Sequence, residues 1–124
     1  MADTIGTTSS TGDLILGTGA VTITSDNGVL HNVDFDNTNG ASLSGDITID
    51  GTFTFTDGVF NLNTSKLRVG PNGSIVEDGT FGETVMFRTD GNQSDGGMEL
   101  YINGDGNYLF PLGTDANADT RYTP

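Results

Sequence analysis

Apolar and polar residues alternate along most of this chain, in short runs that end at Asn, Asp or Gly. The stretch Thr52 to Gly79, TFTFTDGVFNLNTSKLRVGPNGSIVEDG, shows the pattern most clearly. Alternate residues of an extended strand point to the same face, so each run predicts a short β-strand with one apolar face. Further runs of this kind are DLILG from residue 13, AVTITS from 20, VLHNVDF from 29 and ASLSGDITID from 41. No stretch has the 3.6-residue period of an amphipathic helix, and the sequence therefore predicts an all-β protein.

Turn-forming pairs such as Asp57-Gly58 and Asn72-Gly73 separate the runs. Such pairs can close the hairpins of a β-sandwich. They can also form the corners of a β-solenoid, in which each strand stacks on its equivalent one coil away. Because the runs are so short, we expect a parallel β-solenoid, with a β-sandwich as the alternative.

The spacing of the runs divides the chain into three parts. At about 20 residues per coil, residues 13–106 would supply roughly four or five coils of a solenoid. Residues 1–12 are rich in Ser, Thr and Gly, and we expect a flexible lead-in or a strand that needs a partner. Residues 107–124 are expected to form a C-terminal strand or tail, which either begins a β-sandwich missing from this sequence or contacts another subunit.

The charge of the chain limits the classes of partner that it can bind. Seventeen acidic residues against four basic ones give a formal net charge of -13, which would repel a phosphate backbone or an anionic lipid surface. We therefore expect no nucleic-acid partner. No apolar run reaches transmembrane length, so we expect no membrane insertion. The chain has no cysteine, which excludes disulfides, and its hydrophobic content of 33% predicts a thin core.

Catalytic chemistry finds little support in these residues. His31 is the sole histidine, and no Gly-x-Ser-x-Gly motif precedes a predicted helix, so a Ser-His-Asp triad is excluded. Carboxylate pairs are the remaining candidates for sugar hydrolysis. These pairs are Asp34 with Asp36, Asp46 with Asp50, and Glu77 with Asp78. Scattered carboxylates are expected in so acidic a chain, and we predict that the protein is not an enzyme.

Calcium is the stronger chemical hypothesis. Two segments, TDGNQSDGG from Thr89 and NGDGN from Asn103, carry oxygen ligands on short loops, as calcium sites do. The candidate ligands are Asp90, Asn92, Asp95, Asn103, Asp105 and Asn107. Neither segment matches an EF-hand loop, and turns stabilised by Asn and Asp side chains without a metal are the alternative. We expect no required cofactor, with Ca²⁺ as the one candidate.

The order of several motifs resembles a known group of proteins. These motifs are Gly58-Val59-Phe60-Asn61-Leu62, Leu67 to Ile75 (LRVGPNGSI), Phe110-Pro111-Leu112-Gly113-Thr114 and Tyr122-Thr123-Pro124. From about Leu43 to Pro124 the chain resembles the repeated β-solenoid stalk segments of large secreted or cell-surface, adhesin-like proteins of Bacteroidetes-type bacteria. Segments of that kind normally continue into a β-sandwich, so we expect either an excised fragment or a shortened chain.

The resemblance implies a parallel β-solenoid exported to the bacterial cell surface, with an adhesive or scaffold role. The unpaired strand edges at the ends of a solenoid need caps or partners, so we expect self-association or contact with neighbouring domains. The predicted assembly contact consists of Tyr108, Leu109, Phe110, Pro111, Leu112 and Tyr122. The sequence thus predicts an extracellular structural module, either an adhesin stalk segment or a subunit of a self-assembling surface filament. The alternative is a calcium-dependent carbohydrate-binding or ligand-binding module, in which Tyr101 and Tyr108 would stack on sugars.

Overall fold

A computed structural model describes residues 3–9, 13–16, 19, 21–82, 84–89, 96–116 and 119–122, with backbone only for residues 3–9, 13–16, 114–116 and 119–122. The described residues form strands and turns. The strands are β1 (Asp3–Ser9), β2 (Asp13–Leu16), β3 (Val21–Leu30), β4 (Asn32–Asp36), β5 (Ala41–Ser44), β6 (Ile47–Ile49), β7 (Thr52–Asn61), β8 (Lys66–Val69), β9 (Ser74–Glu77), β10 (Val85–Thr89), β11 (Gly97–Leu100), β12 (Leu112–Ala116) and β13 (Asp119–Tyr122). No helix among these residues is long and apolar enough to cross a membrane.

The strands wind into a parallel β-solenoid with three faces, which confirms the predicted fold class. Face 1 consists of β1, the first half of β3, β5, the second half of β7, β10 and β12. Face 2 consists of Ser9 at the end of β1, the second half of β3, β6, β8 and β11. Face 3 consists of β2, β4, the first half of β7 and β9. Strands β3 and β7 are long because each runs through a corner and contributes to two faces.

The pairing register gives the length of each coil. On face 1, Val21 pairs with Ala41, Ala41 with Phe60, and Phe60 with Phe87, so successive coils have 20, 19 and 27 residues. The first two lengths match the predicted repeat of about 20 residues. The third coil is longer because its corner before β10 is extended and contains the bridge between Gly82 and Val85.

Alternation along the strands directs the apolar residues into a narrow core, as predicted. On β4 the burial alternates residue by residue, with Val33 and Phe35 buried and Asp34 and Asp36 exposed. Phenylalanine rings dominate the centre of the core. Ring centroids lie 5.1 Å apart for Phe35 and Phe55 and 4.9 Å apart for Phe55 and Phe87, both with edge-to-face geometry. The rings of Phe53 and Phe60 complete this cluster, and each of the five is at most 1% exposed.

Close stacking of the coils requires glycine at the corners. Gly45 has φ +101°, and a Cβ atom there would overlap the carbonyl oxygen of Ser25 in the preceding coil. Gly58 has φ +98°, and its Cβ would overlap the carbonyl oxygen of Asn37. Any other residue would strain the backbone and separate the coils at these two positions.

Two buried polar side chains also hold the corners. Asn37 is 2% exposed, and its Nδ2 donates to the carbonyl oxygen of Gly19 at 2.6 Å while its Oδ1 accepts from the Asn39 N–H at 3.0 Å. Ser65 is 6% exposed, and its hydroxyl oxygen accepts from the Gly45 N–H at 2.7 Å. The backbone N–H and C=O groups at these corners have no neighbouring strand to pair with, and the side chains of Asn37 and Ser65 supply their hydrogen bonds instead.

The β-sandwich alternative does not describe this chain. Asp57-Gly58 lies within β7 instead of closing a hairpin, and Asn72-Gly73 forms a corner between the parallel faces of β8 and β9. The predicted single run VLHNVDF is broken by a bend at His31, where the chain passes from face 2 to face 3. Among the described strands, only β12 and β13 pair antiparallel.

The two ends of the solenoid differ. β1 falls in the segment predicted as a lead-in or a partner-seeking strand, and it pairs in parallel with β3, so the coils begin before Asp13. At the other end, β12 and β13 form an antiparallel pair on face 1, within the predicted tail. This pair covers the β10 edge of face 1. Face 3 ends at β9, for which the described residues provide no further strand.

Candidate functional site

The last strand of face 3 has one paired edge and one open edge. β9 pairs with β7 from Ser74 to Glu77, and the described residues contain no strand on its other side. Its outward residue Val76 is 43% exposed, whereas the neighbouring Ile75 packs against the core. Open edges carry unpaired N–H and C=O groups and are sites of strand addition.

An irregular segment from Tyr101 to Phe110 follows β11 and lies beside this edge. The Tyr101 N–H donates to the carbonyl oxygen of Val69 at 3.0 Å, which anchors the start of the segment. The Tyr108 hydroxyl donates to the carbonyl oxygen of Gly104 at 3.0 Å, which closes a turn. Between the segment and β9 lies a groove of about 330 Å³, whose lining includes Ile75, Leu100, Tyr108 and Leu109.

Exposed apolar side chains concentrate at this end. The large apolar residues that the structure describes as exposed are Val76, Tyr101, Ile102, Tyr108 and Leu109. One lies on β9 and the other four lie in the adjacent segment. We name the open edge of β9 together with these five side chains the end surface. Apolar side chains beside an unpaired strand edge are typical of a surface that another chain covers.

The structure divides the predicted assembly contact. Tyr108 and Leu109 belong to the end surface, with exposures of 39% and 41%. Phe110 is half-buried, Pro111 is buried, and Leu112 packs against the core from β12. The last predicted residue, Tyr122, lies on β13, and its side chain is outside the described residues.

Val76, Tyr101 and Ile102 were not part of the predicted contact. A signal for Val76 was present in the sequence. Once the coils are aligned, Asp34, Thr54 and Val76 occupy one outward position on successive strands of face 3. This outward position is polar on β4 and β7 and apolar on β9.

Only half of the predicted calcium ligands can be located. Asn103, Asp105 and Asn107 lie in the segment beside β9, and all three are exposed. Asp90, Asn92 and Asp95 lie outside the described residues. No group of three or more His, Cys, Asp or Glu side chains in the described part of the chain is placed to hold a metal ion. Calcium binding therefore stays a prediction, which a calcium titration followed by calorimetry would test.

The carboxylates considered for catalysis lie in different settings. Asp34 and Asp36 are exposed on face 3, as the alternation predicts, and Glu77 and Asp78 are exposed near the open edge. Asp46 has a structural contact, because its Oδ1 accepts from the Lys66 N–H at 2.8 Å. The exposed His31 places Nδ1 2.9 Å from the carbonyl oxygen of Asp50.

Face 2 carries a small charge network that joins side chains of β8 and β11 to Asp46, which directly precedes β6. Arg68 lies 3.4 Å from Asp46 and 3.6 Å from Glu99, and Lys66 lies 3.3 Å from Glu99. The side chains are 34% to 54% exposed, so water screens these pairs and their contribution to stability is small. The network joins two basic and two acidic side chains, so it carries no net charge.

Comparison of the chain with protein-family models, with curated proteins and with solved structures finds no match. The fold and the end surface therefore have to be interpreted from the residues of this chain.

Proposed function

We propose that this protein is a structural module of an extracellular bacterial assembly, either a stalk segment of an adhesin or a subunit of a surface filament. The next unit docks on the end surface. The observation that carries the proposal is the open edge of β9 beside exposed apolar side chains. The resemblance of Leu43 to Pro124 to stalk segments of cell-surface proteins supports the extracellular setting.

The geometry of face 3 favours continuation by another solenoid. All four of its strands are parallel, so a further coil extends the sheet if its first strand runs the same way. In a second copy that stacks end to end, β2 is such a strand. β2 and β9 each have four residues, and β2 pairs only with β4 among the described strands. β2 of one copy can therefore add to β9 of another.

Register adds a second argument for a copy of this chain as the partner. Ile15 on β2 pairs in register with Asp34, which occupies the same column as Thr54 and Val76. The two terminal strands of face 3 thus carry apolar residues where the two inner strands carry polar ones. Joining β2 to β9 would place Ile15 next to Val76, which is a favourable cross-strand pair.

Charge sets the conditions under which copies associate. Each chain has a formal net charge of -13, so copies repel one another at low ionic strength. Salt screens this repulsion over distances beyond about 8 Å at physiological ionic strength. Association should therefore increase with salt, as expected for a contact that is mainly apolar and backbone-mediated.

Sedimentation velocity across a range of protein and salt concentrations tests the proposal. The wild-type protein should form species larger than a monomer as concentration and salt rise, and electron microscopy should show linear particles. Val76→Asp places a charge on the end surface and should leave the protein monomeric. Thr54→Asp is the matched control, because it adds the same charge one coil earlier on the same face.

Circular dichroism of both variants should match the wild type, which separates docking from folding. Equal association of Val76→Asp and wild-type protein would refute the placement of the contact. A wild-type protein that remains monomeric at every concentration and salt would refute self-association.

A further inference from the structure

A polar groove lies on the outer surface of face 1, remote from β9. It has a volume of about 360 Å³, within the range of small-molecule sites. Four of its lining residues, Thr22, Ser42, Asn61 and Arg88, occupy one outward position on β3, β5, β7 and β10. At the spacing of adjacent strands, this row is about 14 Å long. The groove can therefore hold an extended ligand that lies across the strands.

The chemistry of the groove contrasts with that of the whole chain. Seventeen of the 124 residues are acidic, yet the described residues that line the groove include no Asp or Glu. Its polar groups are hydroxyls and amides, with the guanidinium of Arg88 as the one charged group among them. Hydroxyl and amide groups exchange hydrogen bonds with a polyhydroxyl ligand, and a guanidinium binds a carboxylate through two parallel hydrogen bonds.

The groove is held in shape before any ligand arrives. Its floor belongs to the paired strands of face 1. One wall is the corner from Thr38 to Gly40, which buried Asn37 fixes through its bonds to Gly19 and Asn39. On the floor, Asn61 Oδ1 accepts from the Asn63 N–H at 3.1 Å, which orients the amide. A preformed site loses less conformational entropy when it binds.

Arg88 is placed to interact strongly with a carboxylate. Its side chain is half-buried and its Nε is beneath the surface. Partial removal from water strengthens the attraction between opposite charges. On β12 the residue in register with Arg88 is Gly113.

We propose that this groove binds an acidic oligosaccharide, with Thr22, Ser42 and Asn61 contacting sugar hydroxyls and Arg88 contacting a carboxylate. The volume and the row of four polar side chains favour a chain of sugars over a single small anion. The lining described by the structure contains no aromatic ring for stacking, so binding relies on hydrogen bonds and should be weak. The site lies away from the end surface, so the proposal does not rest on the proposed docking function.

Isothermal titration calorimetry with two matched trisaccharides tests the proposal. β-1,4-Trimannuronate carries a carboxylate on each ring, and β-1,4-mannotriose has a hydroxymethyl group in its place. At physiological ionic strength the wild-type protein should bind trimannuronate, and mannotriose should bind at least about tenfold more weakly. Inorganic phosphate and acetate should bind more weakly than trimannuronate, because they reach only the guanidinium.

Two variants locate the site and one serves as the control. Arg88→Gln should lower affinity for trimannuronate at least about tenfold. Ser42→Tyr places a ring in the middle of the groove at an outward strand position that tolerates it, and it should abolish binding. Arg68→Gln removes an arginine at an outward position of face 2, where the side chain pairs with Asp46 and Glu99, and affinity should stay unchanged.

Several results would overturn the proposal. They are an absence of trimannuronate binding at millimolar concentration, equal affinity for the two trisaccharides, or phosphate binding as tight as that of trimannuronate. Undiminished binding by Ser42→Tyr would also place the ligand elsewhere. Equal losses in Arg88→Gln and Arg68→Gln would indicate a response to net charge instead of a site.

Discussion

Substitution of corner glycines by alanine should reveal how closely the coils are stacked. Gly45→Ala combines two penalties, a positive φ of +101° and an overlap of the new Cβ with the Ser25 carbonyl oxygen of the preceding coil. A left-handed conformation costs a residue with a side chain about 1–2 kcal/mol. Forcing an extra carbon into a packed contact costs about 1–3 kcal/mol. After the gain of about 0.4–1 kcal/mol from a less flexible unfolded chain, the net loss is about 2–4 kcal/mol.

Three other glycines separate these penalties. Gly97→Ala has a positive φ of +80° but no atom within 4 Å of the new Cβ, so only the conformational penalty applies, with a net loss of about 1 kcal/mol. Gly79→Ala has the overlap alone, with the Thr56 carbonyl oxygen, and should lose about 1–2 kcal/mol. Gly82→Ala has neither, and should change stability by less than about 0.5 kcal/mol.

Urea unfolding followed by far-UV circular dichroism measures all four variants. The urea concentration at the unfolding midpoint should be highest for Gly82→Ala, lower for Gly97→Ala and lowest for Gly45→Ala. The slope of the unfolding free energy against urea concentration should stay unchanged. If Gly45→Ala cost no more than Gly97→Ala, the carbonyl of the preceding coil would not be in contact. The stacking of coils at this corner would then be refuted.

Three further substitutions have defined outcomes in the same assay. Asn37→Ala should cost about 2–4 kcal/mol because it leaves the Gly19 carbonyl and the Asn39 N–H without their side-chain partner, whereas Asn39→Ala, on the exposed side of the same turn, should cost less than about 0.5 kcal/mol. Phe53→Ala should cost about 3–5 kcal/mol by opening a cavity among four other rings, and a loss under about 1 kcal/mol would contradict the described core. Glu99→Gln should cost less than about 0.5 kcal/mol, with no difference from wild type in high salt, because both of its ion pairs are well exposed.

The coil pattern was predictable because strand alternation and corner residues are both local signals. On β4, the period-two pattern assigns Val33 and Phe35 to the inside and Asp34 and Asp36 to the outside, as the structure has them. Coil length was predictable only where it stays near 20 residues. The 27-residue step from Phe60 to Phe87 depends on an extended corner, which no periodicity encodes.

The surfaces were harder to predict because they depend on which strand is last and on register across coils. Phe110 and Leu109 are adjacent apolar residues in the sequence, but Leu109 is exposed and Phe110 is half-buried. The row that ends at Arg88 joins residues that are far apart in the chain, and the unequal coil lengths hide it from any fixed repeat. Buried Asn37 gives no sequence signal either, because Asn at an exposed turn has the same local pattern.

Proximity labelling of paired cysteines on face 3 is the most direct test of the coil register. The register places Thr54 and Val76 on adjacent strands, and β9 is the last described strand of that face. The chain has no cysteine of its own, so Thr54→Cys with Val76→Cys gives one defined pair. Dibromobimane, which fluoresces when it bridges two nearby thiols, should link this pair within single chains in dilute solution. Thr54→Cys with Ser42→Cys, on a different face, should give no such product. A fluorescent product from the Thr54–Ser42 pair and none from the Thr54–Val76 pair would contradict the coil register. The position of Val76 at the end surface would then be contradicted as well.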